Sequence, residues 1–174
     1  DPESQLGHLA MALNYHLRGD RESFVNSAER AIELNPYSTN ILSSLAAWYG
    51  TSGMWDKCLE LVEKTMSINR ACPVWCHTTL AMYDYACGDY ANCFAKVKMI
   101  NMPGAMWLPL MRLASGAFLD KREECGRALA ELLEIHPDFR ESWPAILSQN
   151  MPYGDLLDKM RAGLERAGLT ATGR

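Results

Sequence analysis

The 174-residue chain is 48% hydrophobic and 22% charged, the balance of a soluble globular or repeat protein able to bury a core without metals or disulfides. Its 17 Lys and Arg stand against 21 Asp and Glu, a net charge of -4 with neither sign in a long block. That distribution argues against nucleic-acid binding, which wants a clustered basic face.

Read from the N-terminus, the chain offers no basic start followed by an apolar stretch and a small-residue cleavage site, and no N-x-[ST] sequon. A cytoplasmic protein is expected. The start at Asp1 rather than at Met points to a fragment cut from a longer chain. Six cysteines, Cys58, Cys72, Cys76, Cys87, Cys93 and Cys125, are spread too widely through a long helical chain for a disulfide scaffold, and read as reduced thiols.

A periodicity organises the first hundred residues. Gly19-Asp20, Gly53 and Gly88-Asp89 recur at spacings of 34 and 35 residues, each followed by an amphipathic run. Glycine suits a tight turn between two helices because it tolerates positive φ. The first helices carry Met11, Ala12 and Tyr15, then Leu42, Leu45, Ala46 and Tyr49, then Leu80 and Ala81, a large-small-aromatic pattern that lets helices cross closely. The predicted units are 5–38, 39–72 and 74–105. A fourth, 106–137, has Leu119-Asp120-Lys121 where the turn glycine would stand, but its second helix, Glu123–Ile135, keeps the apolar period and ends at His136-Pro137. Within this region 99–119 is almost wholly apolar, with Arg112 its only charge. Pro103, Gly104 and Pro109 interrupt it, so a core helix is favoured over a membrane span, which needs about 20 helical residues in a row. Beyond Pro137 two shorter helices are predicted, Glu141–Gln149 and Asp155–Ala167, the latter with a stripe of Leu156, Leu157, Met160 and Leu164. Gly168 fits the position after its last turn.

The run from Gly19-Asp20 through Ala31 to Leu34-Asn35-Pro36, repeated in register, resembles the tetratricopeptide repeat. The resemblance implies an all-α fold, a right-handed superhelix of antiparallel helix pairs forming one domain over 1–174, closed by capping helices over 138–169. Cys58, Cys93 and Cys125 fall where that family usually places alanine, and read as buried packing thiols. Cys72 and Cys76 flank an inter-repeat junction without a second pair to complete a metal site. His8 and His77 share a packing position, and Trp55 and Tyr90 share the aromatic position after the turn.

In this family the first helices line a concave groove in which peptides or helices lie. Carried over position by position, the partner-binding candidates are Leu9, Leu13 and His16; Asn40, Ser43, Ala47 and Gly50; and Trp75, Thr78, Met82 and Tyr85. Trp107 shares the position of Trp75. Members that grip acidic C-terminal tails use Lys, Asn and Arg at these positions. Only Asn40 is similar here, so an apolar helix or peptide fits better.

The tail Asp155–Leu169 and the preceding Leu132–Phe139 are similar to the end of the repeat region in bacterial class III adenylate or guanylate cyclases; the same module occurs in bacterial regulators with a winged-helix domain. The resemblance implies a regulatory module of a multidomain signalling protein, with any cyclase chemistry outside this chain. The alternative is a stand-alone adaptor or chaperone. No phosphate loop, nucleophile elbow or zinc signature is present, so no catalytic residue, metal or cofactor is assigned. The expected partner is a protein or peptide, with a homodimer left open, and neither nucleic acid nor membrane.

Overall fold

The computed structural model describes residues 3–152 and 154–170, and is all-α. Among the described residues there are ten helices and no strand: α1 (Gln5–Leu17), α2 (Arg21–Leu34), α3 (Thr39–Thr51), α4 (Trp55–Ile68), α5 (Val74–Ala86), α6 (Tyr90–Met99), α7 (Trp107–Phe118), α8 (Arg122–Ile135), α9 (Phe139–Asn150) and α10 (Leu156–Arg166). The chain divides into two compact units, Asp1–Thr79 with Gln149–Gly154, and Leu80–Ser148 with Asp155–Arg174. The long apolar stretch is cut by the loop before α7, and no described helix is long and apolar enough to cross a membrane.

The turns explain why the helices end where they do. Gly19, Gly53 and Gly88 have φ of 72°, 73° and 81°, the left-handed region that costs a side chain energy and glycine almost none. Where the fourth turn lacks glycine, Asp120 itself takes φ 53°, a conformation aspartate tolerates better than most residues. In the first and third turns the residue after glycine caps the next helix. Asp20 Oδ1 accepts from the Ser23 amide and Asp89 Oδ1 from the Asn92 amide, both at 3.1 Å. These bonds satisfy amides that have no partner inside the helix, and the Ser23 hydroxyl, with the Ser23 amide second, holds the Asp20 carboxyl below its usual pKa.

In the first unit α1 packs on α2 and α3 on α4, with α3 also touching α1 and α2. Ala12, Ala28, Ala31 and Ala46 are fully buried beside Phe24, Leu42 and Leu45. The Phe24 and Tyr49 rings lie 4.9 Å apart, within the range of favourable aromatic pairing. In the second unit α7 is central and packs against α6, α8 and α10. Tyr90, the first residue of α6, stacks on Phe118 at 4.0 Å, and Tyr85 meets its edge at 5.1 Å. Trp143 of α9 is wholly buried.

All six cysteines are free, and their burial differs. Cys58, Cys76 and Cys93 are fully buried, and burial is the main cause that pushes each thiol up to about 12. Cys125, expected to match them, is only half-buried. It borders a cavity of about 560 Å³ between the start of α8 and the end of α10, and its thiol donates to the Leu113 carbonyl at 3.6 Å. Because the thiolate is the reactive form, iodoacetamide at pH 8 should label exposed Cys87 rapidly and spare Cys58, Cys76 and Cys93 until denaturant is added. Mass-spectrometric mapping that found Cys58 or Cys93 alkylated in the native protein would contradict this packing.

Candidate partner-binding surface

The residues carried over from the repeat pattern all lie on α1, α3 and α5, but the structure sorts them into two groups. Leu13, Asn40 and Trp75 are exposed, with Leu9 and Ala47 half-buried. His16, Ser43, Gly50, Thr78, Met82 and Tyr85 are buried. Ser43 and Thr78 spend their hydroxyls on their own helices, donating to the carbonyls of Asn40 at 3.0 Å and Val74 at 3.3 Å. All of these except Met82 and Tyr85 belong to the first unit.

His16 closes the inner end of α1. Its ring lies against Phe24 and stacks on Trp48. Nε2 is 3.2 Å from the Asn150 carbonyl, which can only accept, so this nitrogen carries the proton. It also faces Thr51 Oγ1, whose own proton goes to the Trp48 carbonyl. Nδ1 is left to accept from Ser52 Oγ at 3.1 Å. Every polar atom of the neutral ring is satisfied, and the end of α9 is thereby tied to the turn after α3. Gly154, in the segment that follows α9, approaches Gly53, where an added Cβ would stand 3.6 Å from the Gly154 Cα.

Tyr85 plays a corresponding part in the second unit. Its hydroxyl donates to the Lys159 carbonyl at 2.9 Å, and Lys159 Nζ returns a bond to the Ala86 carbonyl at 2.6 Å. One α10 residue thus receives and supplies the bonds that fix it to the end of α5. Gly163 lies one turn further along, where a Cβ would overlap the Tyr85 hydroxyl and stand 2.9 Å from Ala114 Cβ. At the far end of α10, Arg166 Nε donates to the Ala117 carbonyl at 2.8 Å. The tail helix, expected from sequence as an end cap, is therefore packed along α7 and against Tyr85. Of its predicted stripe, Leu156, Met160 and Leu164 are fully buried there, whereas Leu157 is half-buried.

Sequence reasoning missed two features. The first is this docking of the tail, whose only local signal was Gly163, a small residue inside an otherwise good helix. The second is the cavity beside Cys125, which brings Lys121, Arg122 and Arg166 together with Asp120 over an apolar wall that includes Leu113 and Leu129. Among the described residues no group of three or more His, Cys, Asp or Glu is placed to hold a metal ion. No protein-family model matches the chain, and comparison with curated proteins returns no relative.

Two measurements test these contacts. Replacing Gly163 with alanine forces Tyr85 and α10 apart, and should cost about 1–3 kcal/mol in chemical denaturation; an unchanged midpoint would mean that α10 does not sit against Tyr85. Burial lowers the His16 pKa from its ordinary 6.5, offset in part by the Asn150 carbonyl. The unfolded chain then binds the proton more readily than the folded one. His16's contribution is complete above pH 6.5 and is lost as pH falls from there through the lower folded value. His16→Gln should remove that part of the slope of stability against pH between about 7 and 5; an identical slope in the variant would show that His16 is not buried as a neutral ring.

Proposed function

We propose that the chain is a tetratricopeptide-type superhelical module that binds a protein or peptide partner, most economically as the non-catalytic regulatory part of a multidomain bacterial signalling protein in the cytoplasm. The observation that carries this reading is Trp75. It is a tryptophan at the start of a first helix, 40% exposed, more open to water than Trp107 at the matching position, which is half-buried. A large ring left half in water costs hydrophobic free energy that a partner would recover, and tryptophan is the residue type most enriched among the anchors of binding interfaces.

The other accessible candidates, on α1 and α3, are apolar or neutral: Leu9, Leu13, Asn40 and Ala47. A free carboxylate would find no cationic donor among them. An apolar helix or extended peptide, inserting side chains beside Trp75, matches that chemistry. The resemblance of Asp155–Leu169 to the end of cyclase-associated repeat regions supports a signalling host. In such a host the catalytic chemistry would belong to another domain.

Trp75→Ala separates binding from packing. Because the ring is substantially exposed, the substitution should leave helical content intact and move the melting temperature by no more than a few degrees, while weakening partner capture by about 2 kcal/mol, roughly thirtyfold. The readout is the set of proteins retained by immobilised wild-type chain and lost on the variant, with melting curves run on the same preparations. A melting temperature that collapses while the retained set stays the same would remove Trp75 from the interface.

A further inference from the structure

The outer side of α1 is an uncharged surface left open to solvent. Its thirteen residues, Gln5–Leu17, contain no Asp, Glu, Lys or Arg; α3 is equally uncharged but leaves only Asn40 exposed. Leu6, Ala10, Leu13 and Leu17 are all exposed, Leu6 at 69%. Their spacing of four, three and four residues is that of a helix–helix seam, and at 3.6 residues per turn they fall within an arc of about 60°. Inward-facing Ala12 and His16, by contrast, are buried against the hairpin. The hairpin therefore uses one side of α1 for its own core and leaves a second apolar stripe unpartnered.

We infer that this stripe is a self-association surface, on which α1 of a second copy packs antiparallel about a two-fold axis. The pattern is self-complementary in that arrangement. Centring the axis between Ala10 and Leu13 sets Ala10 opposite Leu13 of the other copy and Leu6 opposite its Leu17. Each small residue then meets a large one and no two large side chains collide at the centre. In a parallel pairing Ala10 would face Ala10 and leave a gap.

The charges agree with the same pairing. Glu3, which also pairs with Arg30 of its own chain at 3.4 Å, precedes the helix, while Arg18 and Arg21 follow it. An antiparallel partner carries the acidic start of one helix toward the basic end of the other, and opposes the two helix dipoles favourably. The uncharged stretch between them sets no like charges together. A different partner helix of ordinary composition, such as one resembling α2 with its five charged residues, would find nothing on this stripe to pair with them. From Leu6 to Leu17 the seam is about 17 Å long, so it buries an area at the low end for specific association, and the dimer is expected to dissociate around 10 μM or above.

Sedimentation velocity on the 174-residue chain, over about 1 to 200 μM, tests this range. The expected result is a reversible monomer–dimer equilibrium. Ala10→Lys, at an exposed position that should not disturb folding, and Leu13→Glu should each weaken it at least tenfold, with circular dichroism confirming retained helix. The double variant Ala10→Lys/Leu13→Glu should recover dimer, because the antiparallel register sets each new lysine opposite a new glutamate. Leu13 is also a candidate for the partner groove, so Trp75→Ala is run alongside and should leave the dimer untouched. A wild-type chain that stays monomeric at 200 μM overturns the inference, meaning that some other helix or protein covers the stripe. Dimer that survives Ala10→Lys, or that is lost with Trp75→Ala, or that the double variant fails to restore, overturns the proposed register and surface.

Discussion

Two helices joined by a three-residue turn can bury their facing sides only where their backbones come close, and that closeness requires small side chains at the crossing. Ala12 and Ala28, Ala31 and Ala46, Ala81 and Ala114, and Ala128 are all buried with little or no exposure. Cys58 and Cys93 occupy equivalent crossings at slightly greater volume, which is why they behave as packing residues with strongly disfavoured thiolates. The aromatic residues fill the space the alanines leave at the ends of each hairpin. Phe24 with Tyr49 does so in the first unit, and Tyr90 with Phe118 and Tyr85 in the second. Enlarging a crossing residue would separate the helices and empty those aromatic contacts together, so packing at the two ends of a hairpin is not independent.

The features legible in the sequence are those set by backbone chemistry within a few residues. Gly19, Gly53 and Gly88 announce positive φ, and Asp20 and Asp89 announce caps, because both effects are local. The all-α architecture and the positions of most helices follow from these marks and from the apolar period. Asp120 shows where this reasoning weakens. Without glycine the fourth turn still forms, because Asp120 takes the left-handed conformation at moderate cost while α7 packs on α8. Cys125 falls at the same repeat position as Cys58 and Cys93, yet it borders a cavity. Its environment depends on α10, more than thirty residues later in the chain.

The candidate site was legible in outline but not in detail, for the same reason. Periodicity places Leu9, Leu13, Asn40, Trp75 and Tyr85 on first helices, yet it cannot say which of them another segment will cover. The end of α9 satisfies His16 through the Asn150 carbonyl, and α10 takes the Tyr85 hydroxyl through Lys159. Both are long-range hydrogen bonds to backbone carbonyls, which leave no mark on the identity of the residue that supplies them. Gly163 was the one local trace, and only the close approach to Tyr85 and Ala114 gives it meaning.

The tail contacts also bear on how a partner could act on this protein. In the first unit they reach the turn after α3 through His16 and Gly53; in the second they reach the ends of α5 and α7 through Tyr85, Ala86 and Ala117. The hydrogen bonds among these are few, each worth about 1 kcal/mol net, but α10 also buries Leu156, Met160 and Leu164 along α7 and sets Gly163 against Ala114. The two sets of contacts therefore differ in what they cost to exchange. A ligand on the first helices that displaced His16 would give up its bonds to Asn150 and Ser52, whereas one that displaced Tyr85 would also disturb the apolar face that α10 buries. Of the two, the His16 bonds are the ones a binding event of ordinary strength is able to exchange.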